Sequence, residues 1–140
     1  MTHASPNSQR QAAIAVIFQD QRFLVIERSQ TVRAPGKLCF PGGGVEAGET
    51  VAEAVVRELN EELNLVVRPR QQVWQSCAPS GCLLNWVHVE FDNVNPPRPN
   101  PDEVASWHWM TAEEMKLNPN TLASNIDFIH LWQRGVFELS

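Results

Sequence analysis

Glu58, Glu61 and Glu62 place three carboxylates within five consecutive residues, at the C-terminal end of a stretch that reads as a helix. That position is unfavourable for them. Like charges at i, i+4 destabilise a helix by roughly 0.2–0.5 kcal/mol, and negative charge in the last turn opposes the macrodipole by about 0.3–1 kcal/mol. A divalent cation reverses the sign of this repulsion, because Mg²⁺ is held by carboxylates together with waters and substrate phosphate oxygens. A solvated acidic face is the ordinary explanation of a charged helix, and here it competes with what lies upstream. Leu38-Cys39-Phe40-Pro41-Gly42-Gly43-Gly44 runs a short apolar stretch into three glycines, where backbone can approach a metal or phosphate that side chains would keep away. A tight turn would explain the glycines alone. Their fixed distance from the acidic helix is what joins the two features.

The element that must position these groups is Thr50 to Leu63, in which Ala52, Val55, Val56, Leu59 and Leu63 recur at the spacing of one buried stripe. Thr50 with Glu53 three residues on reads as a capping box, and Asn64 as a left-handed stop. At about 100° per residue, with Ala52 set at zero, Leu59 and Leu63 fall within about 20° of the buried direction, Glu58 near ~240° and Glu62 near ~280°. Glu61, near ~180°, points further towards solvent. Glu58 and Glu62 are therefore the pair best placed to share a metal, and Glu61 reaches it less directly, through water.

Around this unit, Ala12 to Gln19 and Arg22 to Arg28 are rich in β-branched residues and predict a hairpin. Leu65 to Cys77, Leu83 to Phe91 and Val104 to Trp109 read as further strands, and Thr111 to Lys116 and Thr121 to Arg134 as helices. Asn93 to Pro101 holds four prolines and reads as a stiff surface loop. Strands interleaved with helices predict an α/β/α sandwich with a mixed central sheet. At 140 residues and 43% hydrophobic composition, one domain spanning 1–140 is expected, with Met1 to Arg10 as a flexible polar tail. No run approaches a membrane span. Cys39, Cys77 and Cys82 match no zinc spacing and read as free thiols, so the expectation is a soluble cytoplasmic protein. The net charge of −5, with scattered Lys and Arg, argues against a polymeric nucleic-acid partner.

Gly43, five residues, Glu49, seven residues, then Arg57-Glu58-Leu59-Asn60-Glu61-Glu62-Leu63-Asn64-Leu65 resembles the Nudix box, G-x5-E-x7-R-E-U-x-E-E-x-G-U with U aliphatic. Every fixed position over these 23 residues matches except the last glycine, which is Asn64. Asn is the non-glycine residue that best tolerates a left-handed helix end. The resemblance implies a Nudix-type fold and a Mg²⁺-dependent hydrolase, with Mn²⁺ as a substitute, acting on a nucleoside diphosphate linked to a further group X. It implies that Glu58, Glu61 and Glu62 hold the catalytic cations together with the backbone carbonyl of Gly42, and that Glu58 or a carboxylate outside the box is the base. Arg57 would steady the catalytic glutamate, in an ion pair with a structural Glu49.

Outside the box, Glu103, beside Asp102, stands where family members sometimes carry an additional metal-binding or basic carboxylate. Arg28, at a strand end leading towards the site, is the best placed of Arg28, Arg33 and Lys37 to meet substrate phosphates. Gly43 would let the substrate approach the backbone, and Phe40, Trp86 or Trp107 could stack a base, although a lone aromatic is more often core. His88 reads as structural. Leu38 stands where many members have tryptophan, which argues against the 8-oxo-dGTP-cleaving members. The absence of tyrosine argues against the diadenosine-polyphosphate branch, and the chain is short for the ADP-ribose pyrophosphatases. A nucleoside triphosphate or a nucleotide sugar is the class that remains, with a homodimer compatible. The alternative is a non-catalytic Nudix-fold domain that binds a nucleotide as a sensor, against which the three intact glutamates weigh.

Overall fold

The computed structural model describes residues 9–139. Its elements in chain order are β1 (Gln11–Val16), β2 (Phe18–Gln19), β3 (Arg22–Arg28), β4 (Leu38–Cys39), β5 (Gly42–Gly44), α1 (Val51–Leu63), β6 (Val67–Cys77), β7 (Leu83–Phe91), β8 (Val104–Met110), α2 (Ala112–Leu117) and α3 (Ala123–Gln133). Side chains alternate along each strand and so sort the apolar residues into two cores. Ala13, Ala15, Leu24, Ile26, Val87 and Val89 meet Ala54, Val55, Leu59 and Leu63 of α1 on one face. Val16, Phe23, Val25 and Trp86 meet Met115 of α2 and Phe128 and Ile129 of α3 on the other. The layering is the α/β/α sandwich that the sequence predicts.

The sheet layer is mixed and split in two. One half runs β5-β1-β7-β6, with β1 and β7 parallel and the other pairs antiparallel. In the other half β3 pairs antiparallel with β2, β4 and β8. The expected hairpin is therefore confined to its tip: Phe18 pairs with Phe23 and Gln19 with Arg22, across a turn whose Asp20 and Gln21 are both left-handed. Before Ile17 the same run of chain belongs to the other half-sheet. β6 is an edge strand, which is why Pro69 is tolerated there, at a register shift where no inner ladder loses a donor.

Both signals at the ends of α1 are realised. Thr50 Oγ1 accepts from the Glu53 amide at 3.0 Å, Glu53 Oε1 accepts from the Thr50 amide at 2.9 Å, and Asn64 is left-handed at φ 55°. Thr111 caps α2 through the same box. α3 starts at Ala123, two residues later than expected from Thr121, because the Thr121 hydroxyl is used on the Met115 carbonyl at 2.8 Å instead of capping. Residues 1–8 of the expected tail lie outside the described residues. Gln9 and Arg10 are not tail: Gln9 Nε2 donates to Gly81 O at 2.6 Å, and Arg10 O accepts from the Leu83 amide at 2.9 Å. The three cysteines are free, and among the described residues no helix is long and apolar enough to cross a membrane.

Candidate active site

The glycine triplet, read from sequence as a loop, is the short edge strand β5, with Gly42, Gly43 and Gly44 opposite Ile14, Ala13 and Ala12. Glycine is poor in strands, and two close approaches require it here. A Cβ on Gly42 would stand 2.2 Å from Ala13 O, and one on Gly43 would stand 2.5 Å from the carboxyl carbon of Glu58. Gly43 thus leaves the room in which the Glu58 carboxylate lies against the strand. The Gly42 amide donates to Glu62 Oε1 at 2.9 Å, so the contact this residue makes with the acidic helix runs through its N–H.

The helix is rotated relative to the sequence expectation. Ala52 and Val56 are exposed, and the buried residues are Ala54, Val55, Leu59, Glu62 and Leu63. On the wheel they centre near ~305°, closer to Glu62 than to Ala52. The cause is β5, whose side-chain-free surface accepts the flank carrying Glu58 and Glu62. Their order of exposure follows the wheel: the side chains are 13% exposed at Glu58 and 48% at Glu61, and Glu62 as a residue is 7% exposed.

Arg57 ties this flank to the loop before the helix. Its guanidinium grips Glu49 in a fork, Nε to Oε2 at 2.7 Å and Nη2 to Oε1 at 2.9 Å, which is the ion pair expected from the motif. It also donates to Gly44 O at 2.9 Å and, through Nη1, to Glu58 Oε1 and Glu61 Oε1, each at 3.0 Å. The Arg57 hydrogen bonds, with the Glu46 amide, hold the Glu49 carboxyl down at about 2. Burial raises the Glu58 carboxyl above its usual range; Arg57 opposes the rise, and the charges of Glu61 and Glu103 add to it. Glu62 is pushed up to about 8, by burial first and then by Glu58, with the Gly42 amide pulling down and Glu103 pushing further up.

Glu103 is thus near enough for its charge to act on both Glu58 and Glu62. Among the described residues its Oε2 is the buried side-chain oxygen with no hydrogen-bond partner. Hard oxygen donors, mutual repulsion and an orphaned oxygen fit a divalent cation. As the side chains stand, no three acidic, histidine or cysteine side chains among the described residues are gathered closely enough to ligate one ion. Arg57 donates to Glu58 and Glu61, and the Gly42 amide to Glu62.

Arg28 is brought towards this space. Its Nη1 lies 3.9 Å from Cys39 Sγ, its Nε donates to Arg33 O at 2.5 Å, and its charge acts on Glu62. Burial pushes the Cys39 thiol up to about 11, so it is a neutral neighbour of Arg28. Phe40 corrects the stacking expectation. Its ring is 3% exposed, stacked on Phe23 at 5.2 Å and edge-on to Trp86 and Phe128, so no face remains for a base. Trp86 is 1% exposed in the same cluster, and Trp107 packs half-buried against the first core. His88 is buried in the sheet, where burial and then Arg70 lower its proton affinity.

Two groups escaped the sequence reading. Asn125 accepts from the Phe40 amide at 2.9 Å and so holds the chain just before the glycine strand. Arg98 and Asn100 donate their amides to Leu63 O and Glu62 O, each at 2.8 Å, closing the end of α1. A signal for the second was present, since proline alternation leaves few free amides in that loop; none marked Asn125.

The NUDIX domain family model matches residues 8–132. Phosphatase NudJ of Escherichia coli (strain K12) is 29% identical over 126 residues, covering 86% of this chain and 80% of that protein. The MutT NUDIX hydrolase of Burkholderia pseudomallei superposes with a TM-score of 0.76 at 23% identity, covering 87% of this chain and 96% of that one. The MutT protein of Methanosarcina mazei Go1 gives 0.77 at 23% identity, covering 91% and 95%. Because the family match takes in the sheet and the box together, and the solved relatives share the fold over nearly their whole length, the chain belongs to the NUDIX domain family and is a Nudix hydrolase.

Proposed function

We propose that this Nudix hydrolase cleaves a phosphoric anhydride bond in a nucleoside diphosphate linked to a further group X, by attack of water at one phosphorus, in a reaction that requires Mg²⁺ or Mn²⁺. The observation that carries the reading is the space shared by Glu58, Glu62 and Glu103, where buried carboxylates repel one another and one oxygen has no partner. Glu58, Glu61 and Glu62, with the Gly42 carbonyl and Glu103 facing them, would hold the cation. Bound there, it neutralises charge on the bridging oxygen and lowers the pKa of water.

The protein's own groups supply the rest. Glu58 has a carboxyl raised by burial and a position fixed by Arg57 and Gly43, and it takes the proton from the attacking water; Glu103 is the other candidate for this role. A base within hydrogen-bond reach adds about 10²- to 10⁴-fold. Arg57 positions Glu58, and its bond to Glu61 is one that Glu61 would give up in order to hold a cation. Arg28 meets the substrate phosphates, while the room that Gly43 leaves is taken by the Glu58 carboxylate and not by the substrate. A nucleoside triphosphate or a nucleotide sugar is the substrate class we favour. The relative named as a phosphatase supports turnover over mere binding, and the free thiols support a cytoplasmic setting.

The test is release of phosphate and of pyrophosphate, measured separately, from nucleoside triphosphates, dinucleotides and nucleotide sugars with Mg²⁺ or Mn²⁺. Metal-dependent turnover lost in Glu58→Gln and Glu62→Gln is the expected result. Ligand-induced stabilisation with no turnover on any substrate would establish the sensor reading instead.

A further inference from the structure

Asn64 departs from the box, and its side chain does something a glycine cannot. Its Nδ2 donates to Arg98 O at 2.8 Å, across 34 residues of chain. The segment it grips is unusual in its supply of donors. In Pro96-Pro97-Arg98-Pro99-Asn100-Pro101 only Arg98 and Asn100 carry an N–H. Both amides are spent on the last carbonyls of α1, Arg98 on Leu63 and Asn100 on Glu62, each at 2.8 Å. Arg98 is thus held at its N–H and at its C=O. From Asn100 the chain turns at once: its side chain accepts from the Asp102 amide at 3.1 Å, and its carbonyl accepts from the Glu103 amide at 2.9 Å and the Val104 amide at 2.8 Å. The far side is pinned by Ser29, whose amide donates to Glu103 O at 3.0 Å and whose hydroxyl donates to Asp102 O at 2.9 Å.

The last turns of α1 carry Glu58 and Glu62; the clamped segment leads within three residues to Glu103, whose Oε2 is buried without a partner. We propose that Asn64 is a positioning residue: by latching Arg98 to the end of the acidic helix it sets where the Glu103 carboxylate stands relative to Glu58 and Glu62. It touches no substrate, and it acts through the loop. The inference rests on the metal-site reading above, and it adds a residue at the one place where the box is broken.

The test is Asn64→Gly, which restores the box, keeps the left-handed helix end and removes the side-chain hydrogen bond to Arg98. Two readouts are taken on the folded full chain. Amide hydrogen exchange in the metal-free protein should be faster at Arg98, Asn100 and Glu103 by about fivefold, the worth of one hydrogen bond. Mn²⁺ affinity, measured by titration, should fall by a similar factor in the wild-type background and be unchanged by the same substitution in Glu103→Gln. Unaltered exchange at these amides overturns the latch. An equal loss of Mn²⁺ affinity with and without Glu103, or no loss, overturns the positioning of Glu103. Both results are independent of turnover. A protein that shows the coupling yet hydrolyses nothing refutes the proposed reaction and leaves this inference standing, and an active enzyme without the coupling does the reverse.

Discussion

Glu62→Gln should make the metal-free protein more stable, although it removes a residue of the site. Folding carries the Glu62 carboxyl from its ordinary 4.5 to about 8, through burial and the neighbouring Glu58 charge. For a carboxyl raised in this way the unfolded chain gives up its proton first. Stability is then fully present below the unfolded value and is lost as pH climbs towards the folded one. At about 1.4 kcal/mol per tenfold change in proton affinity, the loss is about 3 kcal/mol at pH 7 and nearer ~5 kcal/mol above pH 8. Glutamine keeps the oxygen that accepts from the Gly42 amide at 2.9 Å and carries no charge to repel Glu58 or Glu103. Urea denaturation in EDTA between pH 4.5 and 9 should show wild-type stability falling with pH more steeply than that of the variant, which keeps the raised Glu58 carboxyl, with the curves about 3 kcal/mol apart at pH 7. Adding Mg²⁺ should raise the wild type and leave the variant little changed, since only a ligand that binds the folded state stabilises it. A variant less stable than wild type in EDTA at pH 8 would refute the placing of a strained carboxylate at this position.

Gly43→Ala should fold and lose about 10²-fold or more in kcat, because its Cβ would stand 2.5 Å from the Glu58 carboxyl carbon, the far end of a flexible side chain. Gly42→Ala should instead lose thermal stability, since its Cβ meets the Ala13 carbonyl at 2.2 Å and backbone cannot step aside. Arg57→Lys keeps the charge but cannot fork onto Glu49 while also reaching Gly44 O, Glu58 and Glu61; kcat should fall about 10- to 100-fold with KM little moved. Phe40→Leu should cost about 1–2 kcal/mol in denaturant unfolding and leave KM unchanged, because the ring packs against Phe23, Trp86 and Phe128; a large rise in KM would restore the stacking role.

What was legible in the sequence is what local geometry dictates. That Glu58 and Glu62 turn inward while Glu61 stays exposed follows from 100° per residue, and the Thr50 box and the Asn64 stop depend on residues within one turn. What was hidden depends on partners far along the chain. Gly42 to Gly44 is a strand only because Ala12 to Ile14 lies beside it, and the first predicted strand divides at Ile17 because its two parts join different half-sheets. The helix wheel placed the apolar stripe on Ala52, a natural choice when apolar residues alone are counted. It could not show that the surface receiving the helix is backbone without side chains, which buries Glu62 and leaves Ala52 out. Phe40 has the same origin: an aromatic next to a functional strand reads alike whether it faces the ligand or the core.

The buried carboxylates also connect stability to metal binding in a way neither shows alone. Arg57 bonds to Glu58 and Glu61, and the Gly42 amide to Glu62, so part of the repulsion is already met within the fold. What is left over is the orphaned Glu103 oxygen and the proton that Glu62 retains up to about pH 8. On the proposed reading, a cation held in this space would compete with that proton and with Arg57. Its apparent affinity would then include the work of deprotonating Glu62 and of turning Glu61 away from the guanidinium. The fork between Arg57 and Glu49 survives the exchange, because it uses Nε and Nη2, while the contacts to be broken use Nη1. One guanidinium can thus give up its Nη1 contacts to Glu58 and Glu61 while keeping α1 anchored to its loop through Nε and Nη2.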